Sequence, residues 1–300
     1  MRNSRDLHQQ NPKVSVVITC HNYGRYLRDA VESVVAQTYS DFEIIIVDDG
    51  STDDTRDVAA SLAAGYPGHG ITVIGQENQG AAAARNNGIA AGKGEYIVSL
   101  DADDMLKPTF LEKTVGLLEK NPSVGIAYTS MELCGDVDGL SSTIVTCEEY
   151  DFTTLAERNI LPSCNLFRRE AWIKAGGYKR LIGAEDWELW ISMGEAGYYG
   201  KLVPEPLFLH RLHGRSKYSI TSRRKTDVSF EIRRLHIRLH YPALCRYSEG
   251  LAVAALYIRC YMRDPVAHFI FRKFPRLHSA LRGTQETGFN NKRRQPICPR

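Results

Sequence analysis

Three short runs dominated by Val, Ile and Leu stand out in the first hundred residues: Val14-Ser15-Val16-Val17-Ile18-Thr19-Cys20, Phe42-Glu43-Ile44-Ile45-Ile46-Val47 and Tyr96-Ile97-Val98-Ser99-Leu100. They are β-branched and too short for helices, so they predict buried strands. Between the first two, Asp29 to Gln37 carries Ala30, Val31, Val34 and Val35 at helical spacing. Strand, helix, strand in that order predicts an α/β fold with a mainly parallel central sheet. Two of the runs end in acid, at Asp48-Asp49 and at Asp101-Ala102-Asp103-Asp104. Carboxylates at the mouth of a sheet must be hydrated, paired or bound to a cation, and in open α/β sheets ligands gather at the carboxyl ends of strands. Their hard oxygens suit Mg²⁺ or Mn²⁺, whose usual cargo is a diphosphate.

Further along, Gly135, Asp136, Asp138, Gly139, Ser141 and Ser142 predict a loop or hairpin over 134–150. Val228, Ile232, Leu235 and Leu239 keep helical spacing, and Asp264-Pro265 predicts a helix start before Val266 to Phe274. The basic, Ser- and Thr-bearing stretch Ser216 to Lys225 predicts the connection to this helical part. Three hundred residues are enough for one large domain and an appendage.

Charge changes the picture only at the end of the chain. Residues 257–300 hold ten Lys or Arg against two acids, within a whole-chain net charge of +3. Phe269, Ile270, Phe271 and Phe274 lie among Arg272, Lys273 and Arg276, which fits either a helix resting on an anionic membrane surface or a solvated basic face with its aromatics packed inward. No nucleic-acid-binding module accompanies the charge, so nucleic acid is not an expected partner. The seven cysteines are scattered and odd in number, which suits a reducing compartment. The first dozen residues carry no apolar core of a signal peptide, and no apolar run approaches the ~20 residues that span a bilayer. A cytoplasmic protein is expected, peripheral on the inner face of the plasma membrane if the tail binds lipid.

In collinear order, Val14 to Asn22, Gln37-Thr38-Tyr39, Val47-Asp48-Asp49-Gly50-Ser51-Thr52-Asp53, Asn78-Gln79-Gly80, Ala84-Arg85-Asn86-Asn87-Gly88, Asp101-Ala102-Asp103 and Gly183-Ala184-Glu185-Asp186-Trp187 resemble the signatures of family 2 glycosyltransferases. The resemblance covers about 13–216. It implies a GT-A type nucleotide-binding fold and an inverting, metal-dependent enzyme of the bacterial polysaccharide or glycolipid type. Such an enzyme moves a sugar from a nucleotide-diphosphate donor, with a UDP-sugar expected, to a hydroxyl of a glycan or lipid-linked acceptor. The organisation it implies is a flexible tail (1–12), a glycosyltransferase domain (13–218, with a donor half to about 107 and an acceptor half beyond it), and a basic helical extension (219–300).

By the same resemblance, Asp101, Asp103 and His213 are the expected metal ligands and Asp186 the general base, with Glu185 its nearest rival. Thr19, His21, Asp48, Asp49, Arg85, Asp101 and Arg211 are expected at the donor: His21 as a flat surface for the base, Asp49 as acceptor from a base N–H, and Arg85 bridging base or diphosphate to Asp49. Asp103 and Asp104 also fit a helix cap near Pro108. Trp187 and Trp190, three apart, predict one core residue and one candidate sugar platform. A nucleotidyltransferase would need a Gly-rich basic loop where Cys20-His21-Asn22-Tyr23-Gly24 stands, and a P-loop enzyme a Lys at a helix start. The non-enzymatic alternative is a degenerate sugar-nucleotide-binding module or partner subunit.

Overall fold

The computed structural model describes residues 11–135, 142–181, 183–213, 225–246 and 248–261. They fall in two compact units, Met1–Ser219 and Ile220–Arg300.

The first unit opens with β1 (Val14–Cys20), α1 (Gly24–Val35), β2 (Phe42–Asp49), α2 (Thr55–Gly65), β3 (Ile71–Gln76), α3 (Ala81–Ala91) and β4 (Tyr96–Asp101). It continues with β5 (Met105–Leu106), α4 (Phe110–Lys120), β6 (Val124–Gly135), β7 (Thr143–Val145), α5 (Phe152–Glu157) and β8 (Leu166–Arg168). It closes with α6 (Arg169–Ala175), α7 (Glu185–Glu195) and β9 (Tyr199–Leu212). The strands form one sheet in the order β3-β2-β1-β4-β8-β6-β9-β5, with β7 paired to β6. β3, β2, β1 and β4 are mutually parallel, β8 lies antiparallel between β4 and β6, and β6 and β9 are parallel again.

The fully buried pattern of β1 follows from helices covering both faces of a parallel sheet. α1 begins five residues before the apolar spacing of 30–35 alone suggests, because Tyr26 and Leu27 extend the buried stripe of Ala30, Val31 and Val34 by a further turn. α3 is mostly alanine and lies close on the sheet. A Cβ on Gly88 would stand 2.3 Å from Val17 Cγ1 and 2.9 Å from Val47 Cγ2, so only glycine permits this approach.

Register brings the acids together. Cys20 lies opposite Asp48, Thr19 opposite Asp101, and Asp49 opposite Gln76, so the strands end at one edge. Around the predicted 134–150 segment, β6 and β7 pair antiparallel, with Met131 opposite Val145 and Leu133 opposite Thr143, and residues 136–141 between them lie outside the described residues.

The second unit is helical: α8 (Lys225–Leu235), α9 (Ile237–His240), α10 (Pro242–Cys245) and α11 (Glu249–Tyr261). Ile237, Tyr241, Ala252, Ala255 and Leu256 form its core. The stripe expected from Val228 to Leu239 is broken. Val228 and Ile232 are buried, but His236 departs from helical angles between α8 and α9, and Leu235 and Leu239 are exposed. Among the described residues no helix is long and apolar enough to cross a membrane. The expected helix start at Asp264-Pro265 and the basic aromatic segment lie outside the described residues.

Candidate active site

The end of β4 carries the densest chemistry. Asp101, Asp103 and Asp104 each bring a carboxylate oxygen to within 4.8 Å of the others. Asp101 Oδ1 accepts from Arg85 Nη2 at 2.7 Å and from Thr19 Oγ1 at 3.4 Å. Asp103 Oδ2 lies 2.9 Å from His213 Nε2, and the His213 ring stacks on Tyr26 with centroids 5.0 Å apart. Burial and then the neighbouring Asp101 charge push the Asp103 carboxyl above its ordinary range, with His213 opposing.

Asp104, a member of the same cluster, is also engaged by β9. Its oxygens contact His210 Nδ1 at 3.1 and 3.3 Å, and Oδ1 accepts from the Arg211 backbone N–H at 2.9 Å. Burial pushes its carboxyl up to about 6, against the pull of His210. This corrects the helix-cap alternative: α4 begins after Thr109, and Asp104 is spent on fastening β9 to the metal-candidate turn. β5 pairs with Leu209 and Phe208 of β9, which delivers residues 210–213 to the acids.

Arg211 is held by its neighbours. Its guanidinium donates to Asp29 Oδ2 at 2.7 Å and to the Asp103 carbonyl at 3.0 Å, and lies over the Tyr26 ring. Its observed work is to bind the end of β9 to α1 and the β4 turn.

At the end of β2, buried Asp48 accepts from the Ser51 N–H at 3.0 Å. Asp49 accepts from Gln76 Nε2 and the Gln79 N–H at 2.8 Å, and from the Gly80 N–H at 2.9 Å. Both Asp49 oxygens thus hold the turn that opens α3. His21 Nδ1 lies 2.8 Å from the Asp49 carbonyl, a contact that makes Nδ1 the protonated nitrogen and leaves Nε2 to accept from Asn78 Nδ2 at 3.1 Å. The imidazole is half-buried and fixed across the β1 and β2 loops.

Arg85 corrects a second expectation. It pairs with Asp101 instead of reaching Asp49, and its guanidinium lies 5.3 Å from the Tyr178 ring centroid. Burial disfavours its charge, but Asp101, with smaller help from Glu185, outweighs that and keeps it protonated. Asp186 stands in the first turn of α7, where Oδ2 accepts from Asn159 Nδ2 at 3.2 Å. Burial raises its carboxyl above the ordinary range, Arg85 counteracts this, and Glu185 adds to it. Arg85 is thus ion-paired to Asp101, while Asp186 has Asn159 as its side-chain partner. Both tryptophans of α7 are core: Trp190 is fully buried beside Phe167, and Trp187 donates to the Leu155 carbonyl at 2.6 Å. The sugar-platform expectation for Trp187 is overturned, because α7 is packed on the α5 side as well as on the sheet.

The sequence motifs assign no role to Asn86, Gln76, Tyr178, Asn159 or His210. Only Asn86 carried a usable signal, its place beside Arg85 on one helix. The others are joined to the site by contacts 27 to 106 positions distant in sequence.

The sequence model described as Glycosyl transferase family 2 matches residues 15–174. Among curated proteins, the chain is 46% identical over 132 residues to an uncharacterized glycosyltransferase of Nostoc sp., covering 44% of this chain and 39% of that protein. It is 30% identical to the chondroitin synthase of Escherichia coli over 73% of this chain and 31% of that protein. EpsE of Bacillus subtilis, described as a glycosyltransferase, is 32% identical over 66% of this chain and 72% of its own length. The chain thus spans well under half the length of the first two relatives. Among solved structures, the fold resembles a mannosyltransferase from Pyrobaculum calidifontis in complex with GDP-Man and Mn²⁺, with TM-score 0.60, 19% identity, and coverage of 93% of this chain and 87% of that one. It also resembles S. aureus TarS 1-349 in complex with UDP-GlcNAc, with TM-score 0.59, 17% identity, and coverage of 93% and 76%.

Proposed function

Since the chain belongs to the family 2 glycosyltransferases, we propose that it transfers a sugar from a nucleotide-diphosphate donor to a hydroxyl of a glycan or lipid-linked acceptor, in one inverting displacement. The observation that carries this reading is the acidic cluster at the end of β4, where Asp101, Asp103 and Asp104 bring carboxylate oxygens to within 4.8 Å of one another and Arg85 pairs with Asp101 at 2.7 Å.

Asp101 and Asp103, with His213 beside Asp103, would hold a hard divalent cation, Mg²⁺ or Mn²⁺. The mutual repulsion of Asp101 and Asp103 is what such an ion relieves, and the 2.9 Å spacing of Asp103 Oδ2 and His213 Nε2 suits two atoms serving one ion. When bound, the ion offsets negative charge growing on the departing diphosphate. Asp104, His210 and Arg211 act behind these residues by fixing the strand that carries His213. His21 offers a ring face at the nucleotide, while Asp48, Asp49 and Thr19 shape the cleft floor. Asp186 takes the proton of the attacking hydroxyl, and burial, by raising its carboxyl above the ordinary range, makes it a stronger base than a free aspartate.

A UDP-sugar is the preferred donor class, with GDP-sugars the test's main competitor. The chondroitin synthase likeness supports a polysaccharide-type acceptor, and the setting we favour is the cytoplasmic face of a membrane. Thermal-shift measurements with UDP- and GDP-sugars, with and without Mn²⁺, test the donor claim. The reading requires stabilisation that depends on the metal for at least one nucleotide sugar, and fails if none stabilises the protein.

A further inference from the structure

Asn86 follows Arg85 on α3 and engages both ends of its side-chain amide with the α6 end and the turn after it, at Trp172 and Tyr178. Oδ1 accepts from the Tyr178 N–H at 2.9 Å and from Trp172 Nε1 at 3.3 Å, while Nδ2 donates to the Tyr178 carbonyl at 2.8 Å. A primary amide is the side-chain group that can satisfy the N–H and C=O of one backbone residue together; a carboxylate offers no donor and an aliphatic side chain offers neither.

The turn it grips is built to receive it. Gly176 and Gly177 end α6 with φ of +81° and +75°, and a Cβ on Gly177 would stand 3.0 Å from Asn86 Oδ1. From this turn the chain runs into α7, and Asp186 lies eight residues beyond Tyr178. The Tyr178 ring meanwhile lies against the Arg85 guanidinium that holds Asp101. α3 itself is seated on the sheet through Gly88. Two consecutive residues of one rigid helix therefore hold opposite sides of the cleft: Arg85 the end of β4, Asn86 the segment leading to α7.

We infer that Asn86 is a positioning residue that fixes the acceptor-side carboxylate of Asp186 relative to donor-side Asp101. The inference rests on the reading of Asp186 as general base. It assigns Asn86 no contact with either substrate. Its loss should therefore lower turnover and leave nucleotide affinity intact, because the Arg85–Asp101 pair at the end of β4 is made by the Arg85 side chain directly and not through Asn86.

The experiment uses the full chain with Mn²⁺ and the nucleotide sugar, from a panel of UDP- and GDP-sugars, that it hydrolyses fastest with water as acceptor. Calorimetry with UDP and GDP reports donor-side affinity. Asp186→Asn comes first: normal hydrolysis there removes the premise, whatever Asn86 does. With the premise standing, Asn86→Ala is expected to lower kcat about 10²-fold, the cost of an ångström-scale misplacement, with nucleotide Kd unchanged. Asn86→Asp retains the bond from the Tyr178 N–H, loses the one to its carbonyl, and is expected to lose roughly tenfold; it carries the test if the alanine variant does not fold.

The deciding measurement is the double variant. If Asn86 acts through Asp186, adding Asn86→Asp to Asp186→Asn costs nothing further. Losses that multiply, an unchanged kcat in Asn86→Asp, or weakened nucleotide binding equal to the loss of turnover would each overturn the inference while leaving the base assignment standing.

Discussion

Asp103 and Asp186 differ in what surrounds them, and their substitutions separate accordingly. Asp103 faces His213 beside a second carboxylate, so Asp103→Ala removes a metal donor and an imidazole partner together. We expect turnover to fall by the equivalent of ~3–4 kcal/mol of barrier, and binding of the nucleoside diphosphate to weaken more than that of the nucleoside. Normal turnover of this variant in chelator-treated buffer would contradict the metal assignment. Asp186→Asn preserves shape and the neighbourhood of Asn159 but cannot take a proton, so a roughly 10²–10⁴-fold loss of kcat is expected with donor affinity retained. Because burial raises the Asp186 carboxyl above the ordinary carboxylate range, the base is protonated, and activity lost, as pH falls through that raised value. The acid limb of the wild-type kcat profile should therefore sit above pH ~4, the free aspartate value, and disappear in the variant. If Glu185→Gln is the inactive enzyme instead, the base is one residue earlier.

At the scale of elements, α3 has the most to lose from a small change. Gly88→Ala places a methyl group 2.3 Å from Val17 Cγ1, and the helix must lift or Val17 must move. Overpacking of this kind costs ~1–3 kcal/mol, which urea denaturation would register as a lower midpoint with an unchanged slope. Lifting α3 also carries Arg85 and Asn86 away from Asp101 and Tyr178, so activity should fall further than stability alone accounts for. A variant with wild-type midpoint and turnover would mean that the helix does not rest on the sheet as described.

For the whole molecule, the basic C-terminal segment is the part whose role a single deletion decides. Removing residues 257–300 takes away ten basic side chains and should leave nucleotide binding near normal, because every residue of the candidate site lies at or before His213. If the segment is a membrane anchor, sedimentation with anionic vesicles should drop on deletion and should weaken as salt rises, since each basic residue near such a surface contributes ~1 kcal/mol that ions screen. Equal, salt-independent pelleting of both forms would reject the anchor. By itself the sequence determined three of the strands, β1, β2 and β4, and the acidic ends of the last two, because buried β-branched runs and carboxylates at a strand terminus are local statements that neighbouring residues alone enforce; the collinear motifs pointed to the family. It also placed Asp101 and Asp103 next to each other. Only the tertiary structure decided who their partners are: Arg85 to Asp101 in place of Asp49, Asp104 to His210, Arg211 to Asp29, Trp187 to the core, and Asn86 to Tyr178. Those pairings depend on which helix lies over which strand and at what height, a matter of sheet register and packing between residues up to 182 positions apart, and no local pattern of hydrophobic and polar residues encodes it.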